Sequence, residues 1–282
     1  SPESSSDKKV VLQSNLKKMI KKTSKSEIIS ELDRLYSTNA NVVINMGLIK
    51  EPSYLVNVPL NNKSIEYTID NIKKKREIVP LIVRKVKDYY EVVVGRRRYN
   101  AYKLLNYSTI DCVIADLSDE DACFMTLFNS LDKQYKNVIE IGKLLKYLNE
   151  KFKYSLTDLS QITALSISQI SNLIRILKLP LFVIKDITLD KINYGQAKAL
   201  CSLDAIYLQE VVNKIEAEKL SVKETEKLCR SYKKPDKYSK MEKSLSEDFD
   251  AEYVEIKKRS TEFHFKTRKQ LLNFLRKIKK WS

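Results

Sequence analysis

The sequence has few of the residues that interrupt regular structure, with 4 glycines and 6 prolines in 282 residues. A loop-rich β-sandwich uses such residues at its many turns, whereas long helices tolerate few of them. A hydrophobic content of 43% argues against wholesale disorder. The sequence therefore predicts a mainly α-helical protein, long enough for two or three small domains.

Histidine and cysteine are also scarce, since there is 1 histidine, His264, and the 4 cysteines occur singly without a CxxC pair. Metal sites and disulfide frameworks use closely spaced sets of these residues, and Ser/His or Cys/His catalysis needs a positioned histidine. We therefore expect no metal centre, no disulfide framework and no such catalytic arrangement. There is also no apolar run of membrane-spanning length and no apolar signal core, which predicts a cytoplasmic protein without a membrane partner.

Acidic residues are outnumbered, because 52 Lys and Arg residues face 36 Asp and Glu residues and leave a formal net charge of +16. Such an excess favours a polyanionic partner through the release of counterions from phosphates. A lysine-rich composition that comes from an AT-rich coding sequence explains the same charge. The charge alone therefore does not decide between nucleic-acid binding and a bland composition.

Composition and periodicity divide the chain into regions. Residues 1–50 are predicted to form a flexible N-terminal arm with amphipathic helical segments, and residues 51–135 a small α+β domain. Residues 136–232 are expected to be all-helical, and residues 233–246 have the composition of a linker. Residues 247–282 alternate as a β-hairpin before an amphipathic helix, a ββα module too small to bury a core alone, so we expect it to dimerise.

The predicted α+β domain contains short runs of β-branched and aromatic residues. These predicted strands, YLVNV, PLIVRKV, YYEVVVG and IDCVIA, begin at Tyr54, Pro80, Tyr89 and Ile110. Helical patterns over residues 64–76 and 97–105 separate them.

A helix-turn-helix pattern spans residues 155–177. Ser155 or Thr157 can cap a first short helix, and a second helix begins at Ser166 or Ser168. The inward-facing residues of the second helix are predicted to be Ile167, Ile170, Ile174 and Leu177. An ordinary helical hairpin in a protein core would give the same pattern.

The other faces of the second helix carry polar residues near its N-terminus, where this motif contacts the major groove. Gln169 and Asn172 can offer paired donor and acceptor groups to adenine, and a serine can bind phosphate beside helix amides. The candidate DNA-binding residues are Ser166, Ser168, Gln169, Asn172 and Arg175.

Several motifs occur in the order in which a known family has them. ISNLIRILKLP at residues 170–180 resembles the signature that closes the helix-turn-helix of ParB-type partition proteins. PLIVRK and GRRRYNAYKLL, at residues 80–85 and 95–105, resemble two boxes of the family's N-terminal domain. YGQAKALCSL and LSVKETEKLC, at residues 194–203 and 220–229, resemble two downstream boxes. The chain thus resembles a divergent member of the ParB-type family of plasmid and chromosome partition proteins.

The resemblance implies a ParB/sulfiredoxin-like N-terminal domain, a helix-turn-helix domain and a C-terminal dimerisation module. In this family a G-E-R-R box holds the phosphates of CTP, and an E-N-x-x-R pattern supplies magnesium ligands. The residues at the matching positions, and therefore the candidate nucleotide-binding residues, are Gly95, Arg96, Arg97, Arg98, Asn129, Ser130 and Lys133.

This sequence departs from the family pattern at the predicted nucleotide site. Arg96 stands where the family has Glu, and Asn129 and Ser130 replace the Glu-Asn pair. A hard cation normally keeps an anionic ligand, so the loss of the carboxylate argues against metal-dependent hydrolysis. CTP binding without turnover, with or without magnesium, and loss of nucleotide use both remain open.

The favoured hypothesis is a nucleoid- or plasmid-associated partition protein that binds double-stranded DNA as a homodimer and acts with a ParA-type ATPase. A transcriptional regulator or nucleoid-occlusion factor on the same fold is the second hypothesis. A nucleotide-dependent enzyme on the N-terminal fold is the third, but Asp88 and Glu91 before the GRRR box have no partner pattern for a general base. Ala164 to Ile167 replace the family's Gly and Ser-Arg turn, which predicts a target other than the common chromosomal site.

Overall fold

The structure is a computed structural model that describes residues 25–74, 79–132, 136–232, 239–256 and 260–279. These residues form a mainly helical protein with a small sheet near the N-terminal end, as predicted. Within the described ranges, no helix is long and apolar enough to cross a membrane.

The N-terminal sheet has five strands in the order β1-β5-β3-β4-β2. The strands are β1 (Val42–Asn45), β2 (Ile49–Lys50), β3 (Leu81–Val86), β4 (Tyr89–Val94) and β5 (Thr109–Ile114). Strand β3 pairs antiparallel with β4 and parallel with β5, and β1 and β2 form the edges, antiparallel to β5 and parallel to β4. Ile82, Val83 and Val113 have no exposed surface, so the central strands carry the core of this unit.

Three helices accompany the sheet: α1 (Lys25–Thr38), α2 (Asn62–Lys73) and α3 (Arg96–Leu104). Helix α1 buries Leu32 and Leu35 against Ile82 and Val93 of the sheet. The segment assigned to the N-terminal arm, residues 1–50, therefore contributes a helix and both edge strands to the first folded unit. The boundary predicted at residue 50 differs from the fold because edge strands this short carry too little periodicity to be read from sequence.

The predicted strand over residues 54–58 is wrong. Hydrogen bonds from Leu55 N to Pro52 O (2.8 Å) and from Val58 N to Leu55 O (3.0 Å) fold this segment into turns. Leu55 and Val58 are nevertheless buried, and they pack in the helical core instead of the sheet. Their apolar character reflects this burial and not strand pairing.

The helical region runs from α4 (Asp119–Asp132) and α5 (Val138–Phe152) through α6 (Leu156–Thr163), α7 (Ile167–Arg175), α8 (Leu181–Thr188), α9 (Tyr194–Leu200), α10 (Ala205–Glu218) and α11 (Val222–Ser231). Side chains that accept from backbone N–H groups begin five of these helices, which satisfies donors that a helix start leaves open. These N-cap residues are Asn137, Ser155, Ser166, Asn193 and Ser221.

The C-terminal module contains α12 (Ser239–Asp248), the antiparallel strands β6 (Tyr253–Ile256) and β7 (Thr261–His264), and α13 (Arg268–Lys279). The predicted hairpin and closing helix are confirmed, whereas α12 occupies part of the predicted linker at residues 233–246. Phe274 of α13 packs against Phe249, Phe263 and Phe265. This aromatic cluster is the small core of the module.

Candidate nucleic-acid interface

Helices α6 and α7 are joined by a tight turn. Ser155 and Asp158 form a capping box at the start of α6, in which each side chain bonds the other residue's backbone N–H. The helix ends at Ala164, whose φ of 59° is left-handed, a conformation that costs a non-glycine residue about 1–2 kcal/mol. Ser166 then starts α7 with a second capping box. The helix-turn-helix is thus fixed by local hydrogen bonds at each boundary.

Helix α7 is seated on α5 through buried apolar side chains and a close backbone approach. Ile170 has no exposed surface and Leu173 is 6% exposed. A Cβ atom on Gly142 of α5 would lie 2.4 Å from the backbone oxygen of Leu173. The missing side chain at Gly142 therefore sets how closely α7 can approach α5.

Replacing Gly142 with alanine is expected to lower the free energy of unfolding by about 1–3 kcal/mol, because the new methyl group meets backbone that cannot rotate away. An alanine elsewhere in a helix interior would instead add about 1 kcal/mol of helix propensity over glycine. Urea unfolding measures the change. The control is Gly47→Ala, whose Cβ meets only a side-chain oxygen of Asn45 at 3.2 Å. Equal stability of the two variants would contradict the close-approach argument.

The predicted DNA-binding residues run along α7, from its N-cap Ser166 to its last residue, Arg175. Ser166, Ser168, Gln169 and Arg175 are exposed, and Asn172 is half-buried. Ser168 and Arg175, seven positions apart, lie on the face of α7 opposite the buried residues Ile170 and Leu173. This placement is the one that a recognition helix needs in order to reach base edges.

Ile167 differs from the prediction, because its side chain is 47% exposed instead of facing inward. Ile170, Leu173 and Ile176 fill the buried stripe, while Ile174 and Leu177 are half-buried. Ile167 precedes this stripe by one turn and is the first residue of α7. Periodicity alone could not exclude it, since it falls at helical spacing from Ile170.

The two amide side chains predicted to contact adenine, those of Gln169 and Asn172, already form hydrogen bonds with neighbouring residues of the helix. Gln169 Oε1 accepts from Ser166 N at 2.8 Å, and Ser166 Oγ accepts from Gln169 N at 3.1 Å. Arg175 Nη2 donates to Asn172 Oδ1 at 3.0 Å. Bidentate contact with adenine uses the amide oxygen and nitrogen together. Gln169 can therefore read adenine in this way only by giving up its capping bond.

Arg175 also faces the following helices. Burial raises the pKa of the Cys201 thiol, and the nearby Arg175 guanidinium acts in the opposite direction. The Arg175 guanidinium therefore lies near the Cys201 thiol, directly after α9. It holds Asn172 in place besides offering its own positive charge.

The GRRR box lies at the turn from β4 into α3. Gly95 has a φ of 104°, a left-handed conformation, and a Cβ on it would lie 2.4 Å from Leu81 Cδ2. Glycine is therefore required here by both backbone conformation and space. Arg97 is half-buried at the start of α3, where helix amides favour an anion.

Arg96 was predicted to contact a nucleotide, but its side chain points into the protein interior. Its side chain is only 6% exposed and donates to Glu51 Oε1 at 2.6 Å and to Glu140 Oε2 at 3.1 Å. It also donates to the carbonyl oxygens of Leu55 and Val58. The guanidinium of Arg96 is thus engaged by protein partners and, as placed, does not bind a nucleotide.

Some of the other candidate nucleotide-binding residues also form hydrogen bonds with protein groups. Ser130 is buried and donates to Glu140, and Arg98 donates to the carbonyl oxygens of Val79 and Pro80. Asn129 is half-buried, and Lys133 lies outside the described residues. Gly95 and Arg97 suit a phosphate group, whereas Arg96, Arg98 and Ser130 as placed do not.

Two family models match the chain next to each other. The ParB N-terminal domain matches residues 31–131, and the ParB HTH domain matches residues 134–234. The chain belongs to the ParB family. The ParB HTH match contains α6, α7 and all the candidate DNA-binding residues, and the ParB N-terminal match contains the whole sheet and α1 from residue 31.

Individual ParB proteins are similar over much of the chain. A probable chromosome-partitioning protein ParB of Helicobacter pylori is 28% identical over 214 residues, which are 74% of this chain and 74% of that protein. A C-terminally truncated ParB of Caulobacter crescentus, solved with the centromeric parS site, is 22% identical with a TM-score of 0.39 and covers 67% of this chain and 99% of its own. The same protein solved with CTP-γ-S is 21% identical with a TM-score of 0.31 and covers 62% and 98%.

Proposed function

We propose that this ParB family member is a sequence-specific DNA-binding protein of chromosome or plasmid partition. It binds a centromere-like site as a homodimer and acts with a ParA-type ATPase. The observation that carries the proposal is α7, whose N-terminal half exposes Ser166, Ser168 and Gln169 and is held on α5 by Ile170 and Leu173. A rigid helix with an exposed polar first turn can enter the major groove of DNA.

The proposed role is tested by selecting the target from random double-stranded DNA with the full chain. Binding of the selected duplex is then followed by fluorescence anisotropy at several salt concentrations. A net charge of +16 and phosphate contacts predict an affinity that falls steeply with salt. Failure to enrich any sequence, or binding that does not depend on salt, would overturn the proposal.

Replacing Asn172 with alanine is expected to weaken discrimination against the wrong base at one position of each half-site by about 1–3 kcal/mol, the worth of one good base contact. Binding to unrelated duplexes should change little, because phosphate contacts are kept. Competition between the selected duplex and single-base variants measures the change. Asn213→Ala is the matched control, an asparagine on the exposed surface of α10. The proposed role of Asn172 fails if both variants keep wild-type discrimination.

Nucleotide binding is a separate part of the proposal. Gly95 and Arg97 keep features that suit the phosphates of CTP, but Arg96 and Ser130 are both bonded to Glu140. We therefore expect CTP binding without magnesium-dependent hydrolysis, since the positions matching the family's acidic residues, Arg96 and Asn129, hold no carboxylate. Phosphate release from CTP with magnesium and target DNA should stay at the no-protein background. Release that the DNA stimulates and Arg97→Ala abolishes would contradict this expectation.

A further inference from the structure

An exposed apolar side chain stands among the polar residues of the recognition helix. Ile167 is the first residue of α7 and is 47% exposed, between the exposed residues Ser166 and Ser168. Ile170, one turn later, has no exposed surface, so the exposure of Ile167 is a local feature of the helix start. An isolated exposed isoleucine is common on protein surfaces, but this one lies where the helix reaches DNA.

We infer that Ile167 is a specificity-determining residue that packs against the C5-methyl group of a thymine in the major groove. This inference rests on the proposed DNA-binding function and deepens it. Among the groups that base edges display in the major groove, the thymine methyl is the apolar one. An isoleucine at the tip of the helix can bury its exposed surface on this group and on no polar base edge.

Two of the three polar side chains at the start of α7, those of Ser166 and Gln169 but not Ser168, form hydrogen bonds with each other's backbone. The hydroxyl oxygen of Ser166 and the amide oxygen of Gln169 are used in the capping box. That box begins the helix, so breaking it to contact a base would cost about 1 kcal/mol of helix stability. Ile167 needs no such exchange, because its side chain makes no hydrogen bonds and is already exposed.

The position of Ile167 also fits contact with the groove wall. Ser171 lies one turn further along the same face of α7 and is exposed. Ile167 and Ser171 together give that face an apolar tip and a small hydroxyl group behind it, which lets the helix approach the bases closely. A larger or charged side chain at position 171 would keep Ile167 away from the base edge.

The test replaces each thymine of the selected duplex, one at a time, with deoxyuridine, which lacks only the C5-methyl group. For the wild-type chain we expect one thymine per half-site whose replacement weakens binding about fourfold, the worth of one buried methyl group. Replacement in both half-sites of a palindrome should weaken binding about sixteenfold. The variant Ile167→Ala should bind the deoxyuridine and thymine duplexes with equal affinity.

The control variant is Ile206→Ala, which removes the same groups from an isoleucine that is 77% exposed on α10. It should keep the wild-type response to deoxyuridine. Circular dichroism and thermal unfolding of Ile167→Ala should match the wild type, because the side chain is outside the buried stripe. A loss of affinity without loss of fold therefore reports on the groove contact.

The possible failures of the two proposals can be told apart. If no sequence is selected, the proposed DNA-binding function fails first. If a sequence is selected but no thymine responds to deoxyuridine, or if Ile167→Ala keeps the wild-type response, DNA binding stands and the role of Ile167 is overturned.

Discussion

Replacing Arg96 with methionine is expected to lower the free energy of unfolding by about 3–5 kcal/mol, the cost of removing one partner from a buried ion pair. Arg96 and Glu140 are 6% and 5% exposed, so the methionine leaves the Glu140 carboxylate buried without its guanidinium. Two carbonyl oxygens, of Leu55 and Val58, lose their donor as well. Urea unfolding followed by circular dichroism measures the loss.

A double variant separates the effect of the unpaired Glu140 charge from the effect of losing the Arg96 side chain. Adding Glu140→Gln to Arg96→Met removes the stranded charge and should recover a large part of the lost stability, because the amide still accepts from Ser130. The control is Arg97→Met, which changes the same residue type one position along at a half-buried site. If Arg96→Met and Arg97→Met unfold at the same urea concentration, the ion-pair network does not stabilise the fold.

The Arg96 network also explains a departure from the family pattern. Arg96 reverses the charge of the residue that usually follows the glycine, and Glu51 and Glu140 supply the opposite charge around it. Asn100 donates to the same Glu51 oxygen at 2.9 Å. The network ties the end of β2 and the start of α3 to α5, and so couples the sheet unit to the helix that supports α7.

The sequence could not predict this network, since Glu51 and Glu140 are more than forty positions away from Arg96 along the chain. The resemblance to the family placed Arg96 among the possible nucleotide-binding residues instead. Edge strands β1 and β2 were missed for a similar reason, because their pairing depends on distant strands and their own pattern is too short. The ion-pair network and the edge strands both form through contacts between segments that are distant in the sequence.

Features fixed by local chemistry were predicted well. Of the two predicted starts of the second helix, Ser166 and Ser168, the first is its N-cap, because Ser166 forms a capping box with Gln169 that needs no distant partner. The buried positions of Ile170 in α7 and Phe274 in α13 follow from helical periodicity. Ile167 has the same periodicity but is 47% exposed at the first position of α7, and periodicity does not report where along a helix the packing partner begins.

The exposed apolar face of α13 underlies the prediction about self-association. Leu271, Leu275 and Ile278 lie on one side of the helix and are 40%, 51% and 45% exposed, while Phe274 is buried within the module. Leu272, next to this face, is also 45% exposed, so four of the five apolar side chains of α13 are exposed and form a patch that water solvates poorly. A second copy of the same face would cover it, which supports the proposed homodimer.

Replacing Leu275 with glutamate is expected to convert a dimer into a monomer, because the carboxylate would be buried against the partner's apolar face. Light scattering measures the mass. Affinity for a duplex with two half-sites should fall about 10²–10⁴-fold, since the second binding event is no longer intramolecular. Asn273→Glu introduces the same charge on the opposite, exposed side of α13 and should remain dimeric. A dimeric Leu275→Glu with full affinity would show that α13 does not form the interface.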